Sequence, residues 1–246
     1  DMLPPDRVDP DSCVAALANL DVEWENIRAA WQYAVAVRRL NLLAKSAEPL
    51  ARFLDLRGRF TEGHDLFGAA FWALADGPEL PGTPAVSAWL QAYQAHFLMR
   101  RADYIAALDV AQAAQTVAYA AMSPMVDAAI LKVVKDLLPQ RRFTADLCDP
   151  VAAPRECCAA PRECYAALAS AALALSLLIE GTVYRHTGPL DRAIPPLEAA
   201  HAAAVAEPRE PRMTRIAAEA LRTLGAVHWR RSAYDRAIDH HEAALA

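Results

Sequence analysis

The chain has 246 residues, 55% of them hydrophobic and 22% charged, which is enough apolar sequence for a sizeable core and excludes general disorder. Its 56 alanines and only eight glycines favour closely packed helices over a β-sheet protein or an enzyme built on glycine-rich loops. A formal net charge of −5 gives no overall attraction to nucleic acids or anionic membranes. The five cysteines, an odd number, predict reduced thiols in a cytoplasmic protein.

The N-terminal region divides into a linker and a helix. Three prolines within residues 1–10 are typical of an inter-domain linker, and residues 11–40 predict one N-terminal helix. Asp21 and Glu25 are four residues apart and could pair as acids on one face of that helix. The plainer interpretation is solvated acids near a helix start, where the helix dipole stabilises negative charge.

A repeat of about 44 residues organises the rest of the chain. Residues 188–200 align without gaps on residues 232–244, with seven of thirteen positions identical. Two weaker copies begin at Gly58 and Ala102. The step from 102 to 188 is close to two repeat lengths and predicts an intervening unit. Each unit predicts two antiparallel helices joined by a tight turn.

Small residues at the helix crossings indicate how each unit packs. Gly181 and Gly225 on first helices, and Ala193 and Ala237 on second helices, would let the two helices approach closely. No single hairpin buries its apolar face, so stability must come from stacking neighbours. The sequence predicts a single all-α domain, an α-solenoid of about five antiparallel helix hairpins, at about 41–76, 84–121, 124–160, 163–206 and 211–246.

Two sets of residues carry a family resemblance. Leu224, Gly225, Tyr234, Ala237 and Ala244 form a pattern that resembles the tetratricopeptide repeat, here with longer helices. The segment LDVEWENIRAA, residues 20–30, is similar to the one that opens the helical-repeat region of bacterial STAND-type signal-transduction ATPases and transcriptional regulators. The segment LRGRFTEG, residues 56–63, is similar to that family's next hairpin turn. The resemblance covers about 11–136 and 163–246. It implies a right-handed superhelix that serves as a sensor or protein-interaction arm, in which partner binding shifts an autoinhibited equilibrium.

The middle of the chain departs from the repeat. Four prolines within residues 137–162 cannot all lie inside helices, because each interior proline costs roughly 3 kcal/mol. A heptad ending at Cys157 is repeated at once, ending at Cys164; local duplication explains this, and a flexible recognition loop is the functional alternative. With Cys158, these thiols lack the paired spacing of a structural zinc site, so no metal site is predicted. The uncharged run 164–179 is shorter than the roughly 20 residues of a membrane span and predicts a buried helix.

Nothing in the sequence predicts catalysis or a cofactor. Gly58 and Gly63 have the spacing of a phosphate-binding loop, but His64 and Asp65 follow where lysine and serine or threonine are required. These glycines therefore predict a turn and close packing. His240 and His241 are adjacent on a helix, and the repeat register places His241 inward, at the position of Leu197, and His240 in solvent.

The resemblance implies that the first helix of each pair lines a concave face. Carrying the register back from Gly225 places basic and aromatic residues there, with few acids (Glu48, Asp55 and Glu219). The candidate partner-binding residues are Arg52, Trp89, His96, Arg100, Arg185, His186, Arg222, Trp229 and Arg230.

Arginine forks match carboxylates and tryptophan anchors apolar side chains, so we expect an acidic, partly apolar peptide or protein segment as partner. Four alternatives to an acidic partner on this face remain open. The arginines could be a solvated surface, or they could contact adjacent domains of a longer parent protein. A nucleic-acid-binding helical repeat is less favoured because the inner positions vary in type between units. Homodimers could form through the ends of the solenoid.

Overall fold

The computed structural model describes residues 10–78, 80–122, 162–207 and 210–245. Within these ranges the chain is helical and contains no strand, which confirms the all-α prediction. The helices are α1 (Pro10–Val22), α2 (Trp24–Ala36), α3 (Leu40–Leu56), α4 (Phe60–Ala75), α5 (Thr83–Arg100), α6 (Tyr104–Met122), α7 (Arg162–Thr187), α8 (Ile194–Val205), α9 (Pro211–Arg230) and α10 (Tyr234–Ala243).

The N-terminal helix differs from the prediction, because it is divided into α1 and α2 at Glu23. Glu23 has φ −86° and ψ 1°, which departs from helical values. Directly after the break, Trp24 is buried and its ring lies 5.4 Å from that of Phe53 in α3. Trp31, further along α2, is also buried and meets an aromatic ring of α4 edge-on at 5.3 Å. The break therefore coincides with the point at which the chain begins to bury indole rings against α3 and α4.

One type of turn recurs between helices. Arg38, Gly58, Ala102 and Ser232 each have a positive φ between 54° and 66°. Each donates its N–H to the carbonyl three residues back, and the following residue donates to the carbonyl five residues back from itself. This pair of bonds is the Schellman motif, which satisfies the last carbonyls of a helix. Three of these four residues begin copies of the sequence repeat, so the repeat marks the turn.

The turn at Gly188 differs because a proline follows it. Gly188 donates its N–H to the carbonyl of Tyr184 at 3.0 Å, but Pro189 has no N–H to supply the second bond of the motif. The chain instead forms a short 3₁₀ segment, Leu190–Arg192, before α8 begins.

The helix pairs pack in chain order. α4 packs on α5, α6 on α7 and α8 on α9, and the first helices α3, α5, α7 and α9 also contact one another in succession. The unit predicted over 124–160 lies outside the described residues, and α5 and α6 contact α7 directly rather than through it. The pairs α5/α6 and α7/α8 are therefore neighbours.

Small residues lie where the paired helices approach, as the repeat predicts. Gly181, Ala193 and Ala237 are buried, and a methyl group built on Gly181 would lie 3.0 Å from the carbonyl oxygen of Ala193 and overlap Leu197. The close approach of α7 and α8 therefore depends on the missing side chain at residue 181.

α7, with 26 residues, is the longest helix of the described chain. Over Tyr165–Thr187 it is long and apolar enough to cross a membrane, but 83% of its apolar window is buried inside the protein. Burial on all sides is typical of a core helix. Glu180, a buried acid of this helix, accepts a hydrogen bond from Nε2 of Gln115 at 2.8 Å.

Candidate functional site

Trp89 is the clearest correction among the predicted partner-binding residues. Its side chain is 0% exposed, so it cannot anchor a partner's side chain on this surface. The ring meets Tyr93 edge-on at 4.7 Å, and the guanidinium of Arg212 lies 5.4 Å from the ring centroid. The register misplaced Trp89 because it carried no information about α9, whose first turn covers the inner side of α5.

His96 and Arg100 bind a carboxylate of their own chain. Asp55 Oδ1 lies 2.7 Å from Arg100 Nε and 3.4 Å from His96 Nε2. Partial burial raises the pKa of Asp55, but the hydrogen bond and charge of His96 and the charge of Arg100 outweigh it and lower the pKa. The guanidinium of Arg100 also lies 4.8 Å from the ring of Phe60. Both basic groups thus join α5 to α3 and α4, and Arg52 is exposed on α3.

Arg185, His186 and Arg230 form a connected group at the C-terminal ends of α7 and α9. Arg230 donates a hydrogen bond to the carbonyl of Arg185, and Arg185 lies 2.8 Å from Nε2 of His186. The ring of His186 stacks on Tyr104 at 5.4 Å with an angle of 11°. Because arginine only donates, Nε2 accepts, which requires neutral His186.

The positive charges of the arginines in and near this group lie close together. Partial burial, followed by the charge of Arg222, lowers the pKa of Arg185. Partial burial, followed by the charges of Arg185 and Arg230, lowers the pKa of His186. Arg222 itself forms a two-bonded pair with Glu219, which raises the pKa of Arg222. Glu219 therefore offsets part of the positive charge.

Trp229 lies beside this group and is open to solvent. It is 60% exposed and meets Tyr234 edge-on at 5.0 Å; Tyr234 is 51% exposed. We call the following residues the Trp229 surface: Arg185, His186, Arg222, Trp229, Arg230 and Tyr234. All of these except Tyr234 are predicted residues and lie on α7 and α9, whereas Arg52, His96 and Arg100 lie on α3 and α5.

Residues that the sequence prediction missed include Tyr104, Tyr234, Arg212 and Arg215. The two tyrosines occupy the same repeat position, directly after a turn, and each contacts an aromatic ring of a first helix. Arg215 lies seven residues before Arg222 on the same face of α9, so stepping the register back by two turns would have found it.

The C-terminal histidines lie at the positions that the repeat register gives them, but both expectations about their burial are wrong. A methyl group on Gly225 would overlap the ring of His241, as one on Gly181 would overlap Leu197. His241 is nevertheless exposed overall, and His240 is half-buried with its ring stacked on His228 at 5.1 Å. His240 was predicted in solvent; it is partly covered because α10 turns that residue onto α9.

The other residues that the sequence singled out for possible chemistry have structural contacts instead. Gly58 forms the turn between α3 and α4, and Gly63 lies against the ring of Phe97, in agreement with turn and packing roles. Asp21 pairs with arginines of that turn, Arg57 and Arg59, rather than with Glu25. In the part of the chain that the structure describes, no three histidine, cysteine or acidic side chains converge as metal ligands. Cys157 and Cys158 lie outside the described residues.

The fold therefore defines an all-α protein of successively packed helix pairs, with an exposed aromatic and arginine-rich surface at one end. No protein-family model matches this sequence, and no curated protein matches it.

Proposed function

We propose that this chain is a non-catalytic interaction module of a bacterial regulatory protein, a tetratricopeptide-like right-handed solenoid in the cytoplasm that docks a partner protein or peptide. The succession of helix pairs, three of which are joined by the same turn, supports the solenoid. The resemblance of residues 20–30 and 56–63 to STAND-type regulators supports the regulatory context.

The exposure of Trp229 carries the proposal. Trp24, Trp31 and Trp89 are buried in the core, whereas Trp72 and Trp229 are largely exposed, and Trp229 lies beside Tyr234 and Arg230. Tryptophan, tyrosine and arginine are the residues that contribute most of the binding free energy in protein interfaces. An exposed cluster of all three is therefore a suitable docking surface.

The charge of the Trp229 surface favours an acidic partner. Burial, followed by the positive charges of Arg222 and Arg230, lowers the pKa of Arg185, and Glu219 is the one carboxylate among the groups acting on it. A carboxylate of a partner would relieve this repulsion and match the guanidinium geometry. The indole of Trp229 would contact a neighbouring apolar side chain.

The test is binding of a fluorescent synthetic peptide of glutamate and leucine, measured by anisotropy with the unmodified protein and with the variant Trp229→Ala/Arg230→Ala. We expect the variant to lose at least about tenfold in affinity, because two residues of the energetically dominant types are removed. The matched control is Trp72→Ala/Arg28→Ala, which removes another exposed tryptophan and another arginine from α4 and α2.

Equal affinity of the variant and the unmodified protein, with unchanged circular dichroism, would contradict the proposal, as would an equal loss in the control. A peptide that fails to bind the unmodified protein would exclude the acidic partner. Tighter binding of a single-stranded oligonucleotide, with a steep loss of affinity as salt rises, would favour the nucleic-acid alternative instead.

A further inference from the structure

Charged side chains bridge α3 and α9, which are far apart in the chain. Glu48 on α3 accepts a hydrogen bond from Arg215 on α9, 167 residues away, and its Oε2 lies 3.8 Å from Nε of Arg212. The Glu48 side chain is only 17% exposed. The two helices do not pack closely against one another as neighbouring helices in the chain do. The link is therefore an ionic bridge between long side chains rather than an apolar interface.

The aromatic rings of Trp89 and Tyr93 lie next to this bridge. The guanidinium of Arg212 covers the indole of Trp89 at 5.4 Å, a cation–π contact. The buried Nε1–H of Trp89 finds no acceptor among the described residues. Burial, followed by the negative charge of Glu48, raises the pKa of the Tyr93 hydroxyl. Trp89 belongs to the face of α5 that the sequence predicted for partner binding, and Tyr93 lies one turn further along the same helix.

We propose that Arg212 and Arg215 form a carboxylate-binding site that Glu48 fills from within the chain, and that an acidic peptide competes with Glu48 for this site. The site already holds a carboxylate, which shows the chemistry that it binds. The two guanidinium groups supply several N–H donors, and the ring of Trp89 lies against Arg212.

The bridge is accessible from the side of Arg215. The Arg215 side chain is 44% exposed, so salt ions and a competing carboxylate reach this arginine, and salt screens its attraction to Glu48. Arg212 keeps a second partner, Glu210, whose Oε1 lies 2.6 Å from its Nε, so it stays oriented when Glu48 leaves. Exchange of one carboxylate for another leaves the two arginines paired. The proposal does not depend on the Trp229 surface, which lies at the other end of α9.

The test uses the variant Glu48→Gln, which removes the internal carboxylate and keeps the size of the side chain. All measurements are made with Trp72→Phe/Trp229→Phe in the background, because these substitutions remove the two exposed tryptophans and leave the buried ones. We expect Glu48→Gln to bind poly-glutamate about fivefold more tightly than the background protein. Adding Arg215→Ala should abolish this gain, and poly-lysine should not bind either protein more tightly.

Acrylamide quenching of tryptophan fluorescence provides a second readout, because acrylamide is uncharged and reaches only accessible rings. Quenching should increase in Glu48→Gln, and in the background protein when salt rises to about 1 M, since salt screens the bridge. The salt experiment needs no variant at Glu48 and stands even if Glu48→Gln fails to fold. The matched control is Glu25→Gln, which removes an acid paired with Arg28 on the surface of α2.

Three results would overturn the proposal: equal poly-glutamate affinity with and without Glu48, retention of the gain in the presence of Arg215→Ala, or quenching that is insensitive to salt. A change of equal size in Glu25→Gln would show a general effect of net charge, and would also overturn it. Loss of binding at the Trp229 surface alone leaves the comparison between the background protein and Glu48→Gln unaffected, so failure of the proposed function and of this inference are distinguishable.

Discussion

Five described residues between helices have a positive φ; Gly58 and Gly82 are glycines, whereas Arg38, Ala102 and Ser232 are not. A side chain in this conformation costs roughly 1–2 kcal/mol, because its Cβ approaches the following carbonyl. The repeat located the turns at 58, 102 and 232, but it could not show which residue of each turn carries the positive φ. That depends on hydrogen bonds to the preceding helix, which only the folded chain makes.

We predict that Ala102→Gly and Ser232→Gly each raise the free energy of unfolding by about 1 kcal/mol, since glycine adopts a positive φ without the steric penalty. Both positions are exposed, so no packing is lost. Urea denaturation at neutral pH measures the change. The converse variant, Gly58→Ala, should lower stability by about 1 kcal/mol through strain alone, because open space surrounds its added methyl group. A neutral Gly58→Ala would refute strain as the cause.

At the scale of helices, the repeat register proved informative about pairs of residues 44 positions apart. Leu197 and His241 occupy equivalent positions and lie against the equivalent glycines Gly181 and Gly225. The register could not show that the first contact is buried and the second exposed. This difference arises because α9 covers α8, whereas the described residues place no further helix over α10.

We therefore predict opposite outcomes for the same substitution at the two glycines. Gly181→Ala should destabilise the protein by about 1–3 kcal/mol, because the methyl group meets the backbone oxygen of Ala193 and buried Leu197. Gly225→Ala should be close to neutral, because the exposed His241 ring can move away and alanine favours the helix by up to about 1 kcal/mol. Chemical denaturation of both variants provides the comparison. Equal destabilisation would mean that α9 and α10 are as tightly packed as α7 and α8.

At the scale of the whole molecule, the packing of the helices buries Trp89 and places the predicted partner-binding residues in separate parts of the structure. His96 and Arg100 bind Asp55, and Arg222 binds Glu219. These three predicted partner-binding residues are therefore already paired within the chain. Sequence periodicity shows which residues share a helix face. It does not contain the angles at which helix pairs pack, so it could not show that Glu48 on α3 meets Arg212 and Arg215 on α9.

Histidine protonation gives a whole-molecule prediction about pH. Burial is the main cause that lowers the pKa of His186, His201 and His228 in the folded protein, from 6.5. The unfolded chain therefore binds more protons than the folded one as pH falls through 6.5, and stability decreases with falling pH. We expect a lower melting temperature at about pH 5.5 than at about pH 7.5.

Scanning calorimetry at both pH values measures this difference. The variant His228→Gln should show a shallower pH dependence than the unmodified protein, because it cannot take up the proton that the unfolded state favours. A melting temperature that is unchanged or higher at the lower pH would contradict the assignment of neutral histidines to the folded state.

The sequence by itself determined the helical class, the positions of the turns and the small residues at helix crossings, because these depend on local periodicity and on residues close in the chain. Only the tertiary structure decided that α6 packs directly on α7, that Trp89 is covered, and that Glu48 meets Arg212 and Arg215. These features depend on the angles at which successive pairs stack, and those angles follow from packing summed over the whole chain rather than from any one segment.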